Sequence, residues 1–235
     1  MIDLYGGIDP RDIPTYSIGD AARYLRIPPG TIRSWTVGRY YPTTNGSKFF
    51  KPLIAIGEFK PRLLCFTNLV EIHILRAIRK HHQIQLDKVR IALDFIEQED
   101  QSQSPHPLAR ETFRTDGVNL FIERYGELIN ASARGQMDLR DALNTHLERI
   151  KTDEFGIASE LYPFTRSQEE NNPQFVVIDP QISFGRLVLA GTGIATSVLA
   201  ERYHAGDSID DLADDYDCDR LMIEEAIRCE LPVAV

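Results

Sequence analysis

The sequence predicts a mainly α-helical protein with small β elements: an N-terminal winged helix-turn-helix, an α+β insert, and a C-terminal β-hairpin plus trihelical domain. Three observations lead there. Apolar residues recur at helical spacing through most of the chain. Polar, Pro-bearing stretches at 98–108 and 166–174 punctuate it. Charge is unevenly shared: residues 1–90 hold 14 Lys and Arg against 7 Asp and Glu, while residues 91–235 hold 12 against 28. The predicted units are therefore residues 1–98, 105–165 and 173–235.

The elements follow in order. Ser17 opens a first helix, with Asp20 in the capping-box position. Ile18, Ala21, Ala22 and Leu25 then share one face. Pro28, Pro29 and Gly30 break the chain. Thr31 is expected to cap a second helix, which turns Ile32 and Trp35 inward and leaves Thr31, Arg33 and Ser34 exposed. Residues 42–52 read as a turn-rich connection. Leu53–Ile56 and Leu63–Phe66 flank Gly57–Arg62 and read as a β-hairpin with a basic tip, a wing. Thr67 or Asn68 caps a helix over 68–82, and Ile84–Ile96 continues as another.

In the middle region, Thr112–Arg114, Val118–Glu123 and Glu127–Ala131 read as short strands, separated by Asp116-Gly117 and Tyr125-Gly126. A helix over Leu139–Ile150 follows. In the last region, Val176–Ile178 and Leu187–Leu189 suggest a hairpin. Three short helices complete it, opened by Thr196, Ser208 and Asp219.

Composition narrows the function. Hydrophobic content of 43% supports a sizeable core. No apolar run is long enough to span a bilayer, so no membrane association is expected. The N-terminus has neither a basic start nor an apolar stretch, so no secretory signal is expected. Three widely spaced cysteines, Cys65, Cys218 and Cys229, fit a reducing, cytoplasmic setting. No Ser-His-Asp, Cys-His or HExxH constellation is present. Gly185 and Gly191–Gly193 lack the Lys and the spacing of a phosphate loop. No catalytic residue, cofactor or metal is expected. The run Asp210, Asp211, Asp214, Asp215 and Asp217 reads either as a solvated helix face or as a surface for a basic partner. The net +7 of residues 1–90 instead favours nucleic acid as the partner of the N-terminal region.

Residues 16–98 resemble the winged-helix DNA-binding domain of MerR-type regulators. The resemblance rests on Tyr16-Ser17-Ile18-Gly19 with Ala21-Ala22, on Thr31-Ile32-Arg33-Ser34-Trp35, on Arg62, and on the helices over Phe66–Ile96. It implies that Thr31, Arg33 and Ser34 contact DNA, with Arg39, Lys48, Lys51, Lys60 and Arg62 on its backbone. Residues 176–230 resemble the domain of unknown function number 433. The matching residues are Ile178-Asp179-Pro180, Phe184-Gly185-Arg186-Leu187-Val188, Gly191-Thr192-Gly193-Ile194, Ala205-Gly206-Asp207-Ser208-Ile209 and Ala213-Asp214-Asp215-Tyr216. That family often carries Arg where Gly193 stands here, so no role is carried over to this position. Together the two resemblances point to a VapB-type antitoxin. They imply a homodimer that binds operator DNA to repress its own operon and neutralises a PIN-like ribonuclease toxin. The alternative is a stand-alone dimeric transcription regulator without a toxin.

Overall fold

A computed structural model describes residues 6–44, 46–57, 61–81, 86–99, 106–110, 112–113, 117–129, 132–166 and 172–231. Among them the chain is mostly helical, with small antiparallel sheets. Helices α1 (Ile18–Leu25) and α2 (Pro29–Thr36) lead into strands β1 (Arg39–Thr43) and β2 (Gly46–Phe50). Helices α3 (Phe66–His81), α4 (Leu86–Glu99), α5 (Val118–Ile129) and α6 (Ala133–Leu147) follow. Strands β3 (Ile150–Thr152), β4 (Ala158–Leu161), β5 (Val176–Ile178) and β6 (Leu187–Leu189) form a four-stranded meander in chain order. Helices α7 (Thr196–Ala205), α8 (Ile209–Tyr216) and α9 (Arg220–Glu230) close the chain. No described helix is long and apolar enough to cross a membrane.

The centre is α3. Leu69, Val70, Ile72, Ile74, Leu75, Ala77 and Ile78 are all buried, which places apolar side chains around the whole helix rather than along one stripe. It packs against α1 and α6 and touches β4. One continuous cluster of buried side chains runs from Tyr16 to Cys229. All three cysteines are free, and burial pushes the Cys229 thiol up to about 12.

Several expected elements moved. The hairpin lies at 39–50, in the stretch expected to be a connection. Its register pairs Arg39 with Phe50 and Thr43 with Gly46, so Gly46, at φ 114°, is the first paired residue of β2 rather than the centre of a turn. Leu53–Ile56 forms no strand, and Leu64 makes an isolated antiparallel bridge with Tyr16 instead. Half of the expected basic tip, residues 58–60, lies outside the described residues. Val118–Glu123 is helical, and Glu127–Ala131 is helical as far as Ile129, where the description stops. Val118, Phe121, Ile122 and Tyr125 are buried at a spacing of three and four, so helical periodicity outweighs the turn signal of Tyr125-Gly126. Thr112 and Phe113 are likewise helical, and Arg114 is outside the described residues.

Arg149 organises the middle of the chain. Its guanidinium is buried and donates to the carbonyls of Tyr162 (2.8 Å), Asn172 (2.7 Å), Pro163 (3.0 Å) and Pro173 (2.9 Å). Burial draws its pKa down to about 10, still well above neutrality. A partly buried histidine–carboxylate pair joins α3 to the segment after α4. His106 Nδ1 lies 2.9 Å from Glu71 Oε2. Burial alone would lower the His106 pKa, but the bond to Glu71 and its charge outweigh this and hold it above its ordinary 6.5.

Folded His106 therefore keeps its proton more tightly than the unfolded chain does. Its contribution to stability is complete below about pH 6.5 and fades as pH rises through the folded value. Replacing it, His106→Ala, should cost roughly 1–2 kcal/mol near pH 5.5 and progressively less towards pH 8 in urea unfolding. A cost that does not change with pH would show that the pair is not charged.

Candidate functional site

The site begins with the two short helices. Ser17 Oγ accepts from the Asp20 N–H at 3.0 Å, and the Asp20 carboxylate accepts from the Ser17 N–H at 3.0 Å. This capping box satisfies the free donors at the start of α1. Arg26 ends α1 in the left-handed region, with φ 53°. Three residues later Pro29 opens α2, where its missing N–H costs no helical bond. Thr31 therefore lies inside the first turn rather than at the cap. The Trp35 carbonyl accepts from the N–H groups of Leu53 (2.7 Å) and Ile54 (3.0 Å), which pins the chain as it returns from the hairpin.

Of the residues expected to meet DNA, Arg33, Arg39, Lys48, Lys51 and Arg62 are exposed and Thr31 is half-buried. Ser34 is a correction. It is 7% exposed, and its hydroxyl has no hydrogen-bond partner. Ser34 precedes Trp35 on a helix that also buries Ile32 and Thr36, so the inward face is wider than an Ile32–Trp35 stripe. Lys60 lies outside the described residues. The hairpin adds residues that sequence reasoning passed over. Tyr40 is 75% and Phe49 47% exposed, and their rings sit 4.9 Å apart across the two strands.

The helix pair leans on the C-terminal region. The buried Tyr16 hydroxyl donates to the Gly185 carbonyl at 2.9 Å. Burial raises the Tyr16 pKa, so the phenol stays a donor across the physiological range. Arg23 bonds Glu230, and Thr196 Oγ1 donates to the same carboxylate at 2.6 Å. Arg26 donates to the Arg228 carbonyl at 3.0 Å. A cleft of about 420 Å³ opens along this seam, lined by Tyr16, Arg23, Tyr24, Phe184, Arg186 and Glu230 among others.

The same local geometry occurs twice in the chain. Ser208 caps α8 with a capping box to Asp211, as Ser17 does with Asp20. Asp217 ends α8 in the left-handed region at φ 49°, as Arg26 ends α1. The Cys218 N–H bonds the Ala213 carbonyl at 3.0 Å, as the Ile27 N–H bonds that of Ala22 at 3.2 Å. Buried Ile223 stands in α9 where buried Ile32 stands in α2. Ser17-Ile18-Gly19-Asp20 and Ser208-Ile209-Asp210-Asp211 are the sequence signal of this repeat, visible but not joined by sequence reasoning.

Charge is inverted between the two copies. Arg23, Arg26 and Arg33 correspond to Asp214, Asp217 and Glu224. Arg202 pairs with Asp207 and Asp215 at 2.6 Å each, and Arg220 pairs with Asp210 and Glu224. Asp214, Asp217 and Asp219 are exposed. Among the described residues no group of three His, Cys, Asp or Glu is arranged to hold a metal ion.

The second copy lies within a segment with known relatives. Residues 176–228 match the family described as "Protein of unknown function (DUF433)". Over 227 residues the chain is 26% identical to a protein of Mycobacterium tuberculosis named "Putative antitoxin VapB45", covering 87% of this chain and 89% of that one. The crystal structure of Rv2018 from Mycobacterium tuberculosis shares the fold, with a TM-score of 0.65 and 22% identity, over 92% of this chain and 98% of that one.

Two stability measurements follow from this geometry. Gly185 has φ +74°, and a Cβ there would overlap the Tyr16 hydroxyl. Gly185→Ala should cost roughly 3 kcal/mol in thermal unfolding, and clearly less in a Tyr16→Phe background, where the overlapping oxygen is gone. Equal costs in both backgrounds would mean that the seam does not close on this contact. Ser34→Ala should keep or raise stability, by up to about 1 kcal/mol, because it removes a buried hydroxyl without a partner.

Proposed function

We propose that the chain is an antitoxin whose N-terminal helix pair and hairpin act as a winged helix on operator DNA, and whose C-terminal helix pair takes part in holding a PIN-like ribonuclease. The observation that carries this reading is the charge inversion between two copies of one helix-pair geometry. The first copy presents Arg33, with Arg39, Lys48, Lys51 and Arg62 exposed nearby in the chain. Such cations supply phosphate contacts, and a short exposed helix supplies base contacts. The second copy carries Asp or Glu at the corresponding places and would repel a phosphate backbone. An acidic face of that kind complements an enzyme whose own surface must attract RNA. The likeness to a protein named as a VapB antitoxin supports the same reading.

In this reading Thr31 and Arg33 set sequence preference, while Arg39, Lys48, Lys51, Lys60 and Arg62 set affinity. Ser34 acts from within the helix rather than on DNA. A homodimer would place two α2 helices about 34 Å apart on an inverted repeat. The chain then works as a repressor of its own operon in the cytoplasm, with no catalytic step of its own.

Two experiments test it. In a gel shift on the duplex upstream of its own gene, Arg33→Ala should weaken binding at least about tenfold and blur sequence preference. No salt-sensitive binding by the parent protein would remove the DNA half. Co-expression with the neighbouring ribonuclease gene should restore growth and yield a complex. Asp214→Lys with Asp217→Lys should weaken that complex while leaving the gel shift intact. If no ribonuclease co-purifies, the stand-alone dimeric regulator becomes the better reading.

A further inference from the structure

The hairpin holds more than cations. Strand pairing sets Tyr40 opposite Phe49 and Tyr41 opposite Lys48. Paired residues share one side of the ribbon and neighbours alternate, so Tyr40 and Phe49 stand on one face while Arg39, Tyr41, Lys48 and Phe50 stand on the other. The second face is anchored. Phe50 is half-buried beneath the Arg90 guanidinium, 5.1 Å from its ring centre, and Arg90 also donates to the Lys51 carbonyl. The first face is aromatic and open to solvent.

The fold aims this face as well as exposing it. Gly38, at φ +84°, turns the chain from α2 into β1, and a side chain there would collide with the Phe49 ring and the Phe50 carbonyl. Phe49 therefore packs over a position that only glycine can occupy, and it supports Tyr40 from below. The aromatic face directly follows the C-terminal end of α2. Two large exposed aromatics side by side form an apolar patch of the kind that marks a contact surface. Charge decides which one: Arg39 and Lys48 lie on the opposite face, Lys51 follows β2, and Arg33 is on the preceding helix, all of them exposed.

We propose that Tyr40 and Phe49 form an apolar contact with the deoxyribose faces that line a groove of duplex DNA, while the cationic face of the same ribbon meets phosphate. Sugar C–H surfaces are the apolar surface that a duplex offers to a ribbon lying in its groove, and aromatic side chains suit them. This inference rests on the DNA-binding reading and deepens it: the hairpin supplies a component of affinity that does not depend on salt.

The test uses the full-length chain, the upstream duplex and a series of salt concentrations. Phosphate contacts release counterions and set the slope of log affinity against log salt, whereas an apolar contact releases none. Tyr40→Ala with Phe49→Ala should weaken binding about tenfold or more with the slope unchanged. Lys48→Ala should lower the magnitude of the slope by about one. Tyr40→Phe with Phe49→Tyr should restore parental affinity, which also guards against a misfolded hairpin. If the parent and Lys48→Ala behave as stated but the double alanine variant binds within twofold of the parent, the aromatic contact is refuted while the DNA reading stands. If the parent does not bind, both fall. If the DNA-free double variant sediments as a smaller species than the parent, the pair belongs to an interface between copies and the proposal falls.

Discussion

The buried phenol of Tyr16 is the joint on which the arrangement of this chain depends. It bonds the Gly185 carbonyl at 2.9 Å, across 169 positions of the sequence. Its backbone also pairs with Leu64, so one residue ties the start of α1 to the approach to α3 and to the turn before β6. Burying a hydroxyl costs free energy unless it is bonded, and here the partner is a carbonyl that only a glycine can bring so close. Arg23 on Glu230 and Arg26 on the Arg228 carbonyl extend the same seam along α9. The position of the exposed helix α2 is thus set partly by residues at the far end of the chain.

This seam brings together two helix pairs of one geometry and opposite charge. Capping, left-handed exit and the position of the buried isoleucine agree between them. What differs is the charge: Arg23, Arg26 and Arg33 give way to acids, and of the three Arg33 is exposed while Arg23 and Arg26 lie in the seam. Local folding rules and surface chemistry are independent constraints, so one short motif can carry either sign of charge. The ion pairs of Arg202 and Arg220 temper the acidic copy without cancelling it.

The places where sequence reasoning and structure part are instructive. The stretch 42–52 was marked only by its turn residues, and the apolar runs on either side of residues 57–62 drew the expected hairpin downstream. Their apolar residues serve the core instead: Ile54 and Leu64 are buried beneath the helix pair, not paired with each other. In the middle region, glycines at 117 and 126 suggested turns, yet the buried stripe from Val118 to Tyr125 follows the helical period. Strands β3 and β4 went unread because they are only three and four residues long, too short for an alternation to show. Ser34 was expected outside because a hydroxyl is polar, and its burial follows from the width of the helix–core contact.

By itself the sequence determined the local elements: the capping boxes at Ser17 and Ser208, the proline break before α2, the strands at 176–178 and 187–189, and the separation of basic from acidic regions. Each of these depends on residues a few positions apart or on summed charge. The tertiary structure alone decided which faces are free. It buried Ser34, left Tyr40 and Phe49 in solvent, clamped Arg149 on four carbonyls and set Tyr16 against Gly185. Burial and cross-chain bonding are properties of residues far apart in sequence, and no local pattern encodes the meeting of those surfaces.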